Sequence, residues 1–582
     1  MLRAVSTIYI ESQPLLWRDV LKLSRLNAPF SSAAGSQRTG KLKKYRTTVL
    51  SNEPTKPSGA APPPPPAPPQ PPQPPRPPPR SRRAWAGAAA LALTVSVGGV
   101  YFYRKLNDET DHERSVVQSP EPPEPPVESV PARAEQLPRH VQYLLVGGGT
   151  AAFAAMRAIR SARPDAQVLI VSEEPALPYM RPPLSKELWR EPELARRALR
   201  PDDLTFRQWN GRRRSVTYEP SAFYTPPERL REGRAGAGVA RGWRVLWLDP
   251  ERHTAELAPA SPAAAPDAPD HVATVTYDKC LIATGVRPRR LAVLGGAAAA
   301  GRALALRTAA DAARLAAALD EAGAARAAAG RGGARVLVVG GGFLATELSA
   351  ALADRLGGEG RAGWEVRQVF REGAPLARVL PRYLAADAAR RLRRQGVALL
   401  PDTEITGSEV RDGCVRLRAR GARGAGGAGG EVGSEGGEVE VELEADVVVE
   451  CVGCEPDERL ARGSGLELHP ELGGLLVNAE LQARTDVWVA GDAASFHDVS
   501  LGRRRVEHHD HAVASGRLAG ENMAALRPPR PYTHQSMFWS DVGPQLGYEA
   551  VGIIDSRLPT VGVFSADAVR DARTAAGAAA GA

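Results

Sequence analysis

QYLLVGGGTAAFAAMRAIRSARPDAQVLIVSEE, residues 142–174, runs apolar strand, glycine-rich turn, helix and second apolar strand without a break. RVLVVGGGFLATELSAALADRL, residues 335–356, repeats that plan, and WEVRQVFRE supplies its second strand. Such units leave few folds open, because parallel strands buried on both faces need helices above and below. The turns read Gly147-x-Gly149-x-x-Ala152 and Gly340-x-Gly342-x-x-Ala345. Small residues there let the backbone approach a pyrophosphate, which rests on the N-terminus of the next helix. Glu173 and Glu372 end the second strand of each unit, where an acid accepts hydrogen bonds from an adenosine ribose. An acid at 372 favours NADH, since it repels the 2′-phosphate of NADPH, and Arg371 beside it weakens that preference. One such turn is a common helix start. Two in full strand–turn–helix–strand context predict an α/β chain with two Rossmann-like dinucleotide-binding domains.

Two further segments fit the same plan. CLIATG, residues 280–285, is a strand ending in a small-residue turn, and TDVWVAGDAA, residues 485–494, is an apolar strand ending in Gly-Asp. Alone, GDAA reads as a helix N-cap. After two nucleotide folds, Asp492 becomes a candidate acceptor for a flavin ribityl hydroxyl. PYMRPPLSKELW, residues 178–189, lies where many two-nucleotide flavoenzymes carry a reactive cysteine pair, yet it holds Arg181, Lys186 and Glu187 instead. Cys451 and Cys454 form a CxxC, read as a redox pair or as the end of a strand; without a thioredoxin-like βαβ context the strand end is favoured.

The basic character of the chain is local. The total formal charge is +9, but residues 1–104 hold 15 Lys/Arg against 3 Asp/Glu, a net of +12, which leaves the remainder at −3. A nucleic-acid partner for the globular part is therefore not implied by charge. Residues 1–50 have the Arg/Ser-rich, acid-poor composition of a mitochondrial transit peptide. Within a linker at 51–83, residues 62–79 contain 14 prolines, a polyproline II run that cannot pack a core. AWAGAAALALTVSVGGVYFY, residues 84–103, is uncharged and, as a helix, about as long as a hydrocarbon core is thick; it reads as a single membrane span, or as a buried Ala/Gly segment. Arg80, Arg82 and Arg83 before it and Asp108, Glu109, Asp111 and Glu113 after it place the N-terminal side in the matrix and the rest in the intermembrane space. A Pro/Glu-rich linker, 104–139, follows, so the N-terminal region is expected to be a disordered, membrane-anchored arm.

The order GGGTAAFAA, PYMRPPLSKELW, QWNG, CLIATG, GGGFLATE, WVAGDAA, LGRRRVEHHDHA and HQSMFWSD resembles the mitochondrial apoptosis-inducing factor family from about residue 140 to Phe564. The resemblance implies a glutathione-reductase-like fold, with an FAD-binding domain at 140–288 and 454–527 around an NAD-binding domain at 289–453. It implies FAD contacts at Gly147, Gly148, Gly149, Thr150, Ala151, Glu173, Glu174, Arg181, Lys186, Val245, Arg307, Asp492, His508 and His509. It implies NAD contacts at Trp209, Gly341, Gly342, Phe343, Leu344, Glu372, Arg378, Gly453, Glu507, Trp539 and Glu549. Lys186, Glu347 and His508 would serve catalysis, with Lys186 paired to Glu347 and its charge steadying a reduced, anionic flavin. On its own, Lys186 reads equally as a solvated helix-start lysine, and Trp539 as a core tryptophan. EHHDH, residues 507–511, could suggest zinc, but no second ligand group is evident and flavin-side contacts are favoured. Arg503, Arg504 and Arg505 read as a nuclear-targeting or DNA-contact patch or, more commonly, as a solvated loop.

This sequence departs from the family at four places. Arg378 stands where the family usually has Lys, and Val286 and Arg287 where it has Gly and Thr. Residues 528–582, expected as a C-terminal α+β domain, dissolve after Phe564 into Ala/Gly sequence, so that domain reads as incomplete. Residues 421–437, with 9 glycines, read as a flexible hairpin insertion. The resemblance further implies NADH oxidation, homodimerisation on reduction, an intermembrane-space import and assembly oxidoreductase as partner, respiratory-chain assembly, and release to the nucleus with DNA contact in cell death. Rival readings are a redox-sensing scaffold with little turnover and an NADH:ferredoxin or quinone reductase.

Overall fold

The computed structural model of the chain describes residues 7–11, 46–47, 133–208, 210–260, 272–357, 363–421, 439–543 and 546–564. The proline-rich stretch, the apolar segment 84–103 and Trp209 lie outside these residues, as do most of the expected presequence, the acidic linker and the glycine-rich insertion. Among the described residues no helix is long and apolar enough to cross a membrane.

The first sheet grows from the first glycine-turn unit. Strand β1 (His140–Val146) leads through the turn into helix α1 (Thr150–Ala162) and strand β2 (Gln167–Ser172). Strands β3 (Gly236–Arg241) and β4 (Ala273–Ile282) extend it. Pairing is parallel along β4-β1-β2-β3. The central strands are buried almost end to end, which is the pattern of a sheet covered on both faces.

The chain then leaves to build a second sheet. Strand β5 (Arg335–Val339), helix α2 (Phe343–Leu356) and strand β6 (Glu365–Val369) form the second unit, and strand β7 (Val447–Glu450) flanks β5. Ala303–Ala305, β7, β5, β6 and Val397–Leu400 pair in that order, all parallel. A three-stranded antiparallel layer, Thr403–Arg411, Cys414–Gly421 and Val439–Ala445, follows, the last two strands flanking the glycine-rich insertion.

The two passages between the sheets run side by side as an antiparallel ribbon, Val286–Pro288 with Cys454–Pro456, so Val286 and Arg287 occupy a strand rather than a loose turn. Strand β8 (Val487–Val489) then completes the first sheet by pairing in parallel with β4, and helix α3 (His509–Ala524) packs on α1. Strands β9 (Met537–Asp541) and β10 (Gly547–Val551) form an antiparallel pair, against which Thr7–Glu11, inside the expected presequence, also lies. The described residues after α3 hold strands and no helix, so the α part expected of a C-terminal α+β domain is not found among them.

All of this belongs to one unit, Met1–Lys41 with Val130–Thr560. A second unit comprises Leu42–Ser129 with Val561–Ala582, and its described part is the antiparallel contact of Arg46–Thr47 with Val563–Phe564.

Candidate functional site

Both glycine turns open into one cleft of about 1320 Å³. Gly147 has φ +112° and Gly340 φ +133°, and a Cβ would sit 2.3 Å from the Ala283 carbonyl oxygen in the first and 2.2 Å from that of Cys451 in the second. Only glycine fits where the turn crosses so close to the neighbouring strand. Gly149 and Gly342, the residues before α1 and α2, have nothing within 4 Å of a Cβ position, so the space beyond them is open. Neither helix has a side-chain cap or an acid in its first turn. Two helix N-termini with free amides and positive dipole ends suit two anionic pyrophosphates, the test that FAD and a nicotinamide dinucleotide must pass here.

The walls hold a chain of charges. Tyr179 donates to Glu174 at 2.6 Å, and Arg181 donates to Glu174 at 2.6 Å and to the Arg307 carbonyl at 2.8 Å. Arg307 in turn donates to Asp492 at 2.8 Å, fixing that carboxylate beside the Gly491 turn. Glu173 pairs with Arg244 at 2.7 Å. Lys186 donates to Glu347 at 2.7 Å, with side chains 11% and 7% exposed, so this is a buried ion pair. Ser185 donates to the same carboxylate at 2.6 Å and Ser540 at 2.5 Å, satisfying its remaining lone pairs.

His508 caps α3, its Nδ1 accepting from the Asp510 amide, which leaves the proton on Nε2. Burial pushes its pKa down to about 4, and burial lowers His509 as well, so His508 faces the cleft as a neutral ring. Trp539 stands edge-on to His508 at 4.7 Å. Thr150, Ala151, Val245, Gly148, Gly341, Phe343, Leu344, Glu372, Arg378, Gly453 and Glu507 line the same cleft. Glu549 does not: it sits exposed on β10, opposite Trp539 in the ladder. His511, three residues from His508, is fully buried against Phe496 and shares a 2.8 Å hydrogen bond with Tyr532, which makes it a core histidine.

The sequence matches the family described as "Pyridine nucleotide-disulphide oxidoreductase" over residues 141–516, and "Apoptosis-inducing factor, mitochondrion-associated, C-term" over residues 519–581. A Drosophila melanogaster protein named as apoptosis-inducing factor 1, mitochondrial, is 42% identical over 439 residues, 75% of this chain and 53% of the relative. Its Dictyostelium discoideum namesake is 34% identical over 434 residues, 73% of this chain and 69% of the relative. The chain belongs to the apoptosis-inducing factor group of these oxidoreductases. It spans about half the length of the Drosophila relative. Two solved structures share the fold: a putidaredoxin reductase–putidaredoxin complex (TM-score 0.52, 21% identity, 71% of this chain and 81% of that one) and a ferredoxin reductase from Rhodopseudomonas palustris (TM-score 0.50, 22% identity, 69% and 80%).

The family's wider name invites a disulfide reading of the apoptosis-inducing factor-like cleft, and the thiols do not support one. All four cysteines are free. Burial pushes Cys451 up to about 12, and burial with the neighbouring Glu507 does the same to Cys454, whose thiol donates to Glu507 at 2.6 Å. Both are protonated at neutral pH and lack the thiolate that exchange needs. The arginine run lies on and just after the strand Gly502–Arg504 rather than in a loop, with Arg503 exposed and each guanidinium given a partner. Arg503 donates to the carbonyls of Val477 and Ser495, Arg504 pairs with Asp498, and Arg505 pairs with Glu507. Ser185 and Ser540 escaped sequence reasoning; both lie inside quoted motifs, but nothing local says that they meet Glu347.

Proposed function

We propose that the chain is an FAD-dependent NADH oxidoreductase. The observation that carries this reading is the shared cleft, in which two bare helix N-termini flank the Lys186–Glu347 pair. Bound FAD would supply a hydride acceptor at N5 for a nicotinamide held against it. Around that pair the chain's own groups bind and orient. The α1 and α2 amides take the two pyrophosphates. Asp492, held by Arg307, accepts from a ribityl hydroxyl. Lys186 spends one of its three N–H donors on Glu347 and directs positive charge at the cleft, where it favours a reduced, anionic ring. Neutral His508 offers an Nε2–H without competing charge, and Trp539 beside it covers the nicotinamide. Glu372 takes the NAD ribose and Glu173 the FAD ribose.

The finer reading rests on the N-terminal composition and on the relatives' names, which include "mitochondrial". In it the chain is anchored in the inner membrane through residues 84–103 and faces the intermembrane space. It dimerises on reduction, partners an import and assembly oxidoreductase there, supports respiratory-chain assembly, and reaches nuclear DNA after release. Ferredoxin and rubredoxin reductases among the relatives favour a small iron–sulfur protein as an alternative acceptor. An anaerobic NADH titration of the purified flavoprotein, with sizing before and after, tests both levels. Bleaching of the flavin band supports the oxidoreductase, and a colourless protein that cannot be reconstituted with FAD ends the reading. A mass that does not change on reduction removes the dimer.

A further inference from the structure

At the end of β6 the cleft wall carries two arginines, Arg371 and Arg378, each beside an acid that also lines it. Glu372 is the acid expected to repel the 2′-phosphate of NADPH. It is already engaged: Arg378 Nε lies 2.5 Å from its Oε1. Its other oxygen lies 3.0 Å from where a Cβ on Gly341 would be, so the carboxylate is folded over the glycine turn. Arg371, one residue earlier, also lines the cleft and is 64% exposed. Its only ion-pair partner among the described residues is Glu404, at 3.6 Å, a contact too long and too wet to hold it. Glu404 has a second partner in Arg420 at 3.3 Å, so Arg371 can leave without stranding a charge. The opposing charges are Glu372 and Glu404, which line the cleft, and Asp402, whose carboxylate lies behind them beside Gly373.

We propose that this second cradle accepts NADPH as well as NADH, with Arg371 and Arg378 taking the 2′-phosphate. The inference rests on the oxidoreductase reading and extends it to a second donor. A phosphate monoester carries about −1.5 to −2 charge at neutral pH and three acceptor oxygens. Two guanidiniums, one exposed and loosely paired and one shared with an acid, can give it parallel N–H donors. An uncompensated acid at 372 would instead set a like charge against it.

The test separates the phosphate from the chemistry. Binding of adenosine 2′,5′-bisphosphate and of 5′-AMP, which lacks only the 2′-phosphate, is measured by calorimetry on the FAD-loaded full chain. The proposal expects the bisphosphate to bind no more than about tenfold weaker than AMP. Arg371→Ala should lower the bisphosphate-to-AMP affinity ratio about tenfold, the scale of one lost charge-assisted hydrogen bond, and Asp402→Asn should raise it. A wild-type protein that disfavours the bisphosphate by more than about tenfold overturns the proposal, as does an Arg371→Ala ratio equal to wild type. Flavin bleaching by NADH is read separately. If it fails while the bisphosphate binds, the oxidoreductase reading falls and the phosphate site stands.

Discussion

Helices α1 and α2 open on the same cleft from equivalent turns, yet they are held by opposite means. α1 is locked by shape. A Cβ on Gly516 of α3 would sit 2.2 Å from the Ala151 carbonyl oxygen, and one on Gly520 2.5 Å from that of Ala155, so the two helices meet backbone to backbone. The contact face of α1 is Ala151, Ala152 and Ala155, with Met156 and Ile159 behind. α2 is locked by polarity. It buries Thr346 and Glu347, and Gln368 of β6 reaches Thr346 at 3.3 Å and the Gly340 carbonyl at 3.0 Å. The first arrangement fails when any atom is added. The second fails when a partner is removed.

The largest test of that contrast adds atoms to the first helix pair. Gly516→Val should cost more than about 4 kcal/mol, because its neighbour is backbone that cannot rotate away, and should yield little flavin-loaded protein. Gly342→Ala before α2 meets open space at ordinary φ and should shift stability by less than about 1 kcal/mol while weakening NADH affinity. Thermal melts, flavin-to-protein ratio and NADH titration read both, and a Gly516→Val protein melting within a few degrees of wild type would remove the shape lock. Next, Glu347→Ala strands Lys186 in a buried site and should cost about 3–5 kcal/mol in denaturant unfolding. Glu347→Gln, which keeps the hydrogen bonds to Ser185 and Ser540 within reach, should cost less; equal losses would mean that α2 depends on the charge alone and not on those hydrogen bonds.

The same shape-locked region predicts a pH effect. Burial holds His511 down to about 4, against an ordinary value near 6.5. As pH falls, the unfolded chain takes up that proton first, so stability is complete above about pH 6.5 and declines between there and pH 4, by up to about 3 kcal/mol for this residue. His511→Phe should flatten the Tm profile across that window while lowering it at neutral pH through the lost Tyr532 bond. An unchanged slope would assign the acid sensitivity elsewhere. The smallest effect concerns the thiols: Cys451→Ser should cost about 1 kcal/mol and leave flavin reduction by NADH at its wild-type rate. A variant that cannot be reduced would restore the redox reading of Cys451 and Cys454.

What was legible in the sequence was what is encoded locally. Gly147, Gly149, Gly340 and Gly342 announce their turns because a few consecutive residues decide them, and Glu173 and Glu372 follow at fixed distance along a strand. The Lys186–Glu347 pair came from family resemblance. Its completion by Ser185 and Ser540, which lie 162 and 193 positions from Glu347, could be read from neither source, because serine spacing says nothing about a partner on another element. The loop reading of Arg503–Arg505 fell for the opposite reason. Three adjacent cations look like a surface patch until the fold supplies Asp498, Glu507 and the carbonyls of Val477 and Ser495 around them. Glu549 shows a limit of residue-by-residue transfer, since its strand neighbour Trp539 reaches the cleft and it does not.

The strand that closes the first sheet arrives late. β4 must wait for Val487–Val489, roughly two hundred residues downstream, and α1 for its backing helix later still. On a ribosome emitting the chain from its N-terminus, the second nucleotide unit can be finished while the first still shows an open strand edge and a bare alanine face. Nascent protein of this design therefore passes through a stage that invites aggregation or chaperone capture, and flavin can be secured only once Asp492 and α3 have been made.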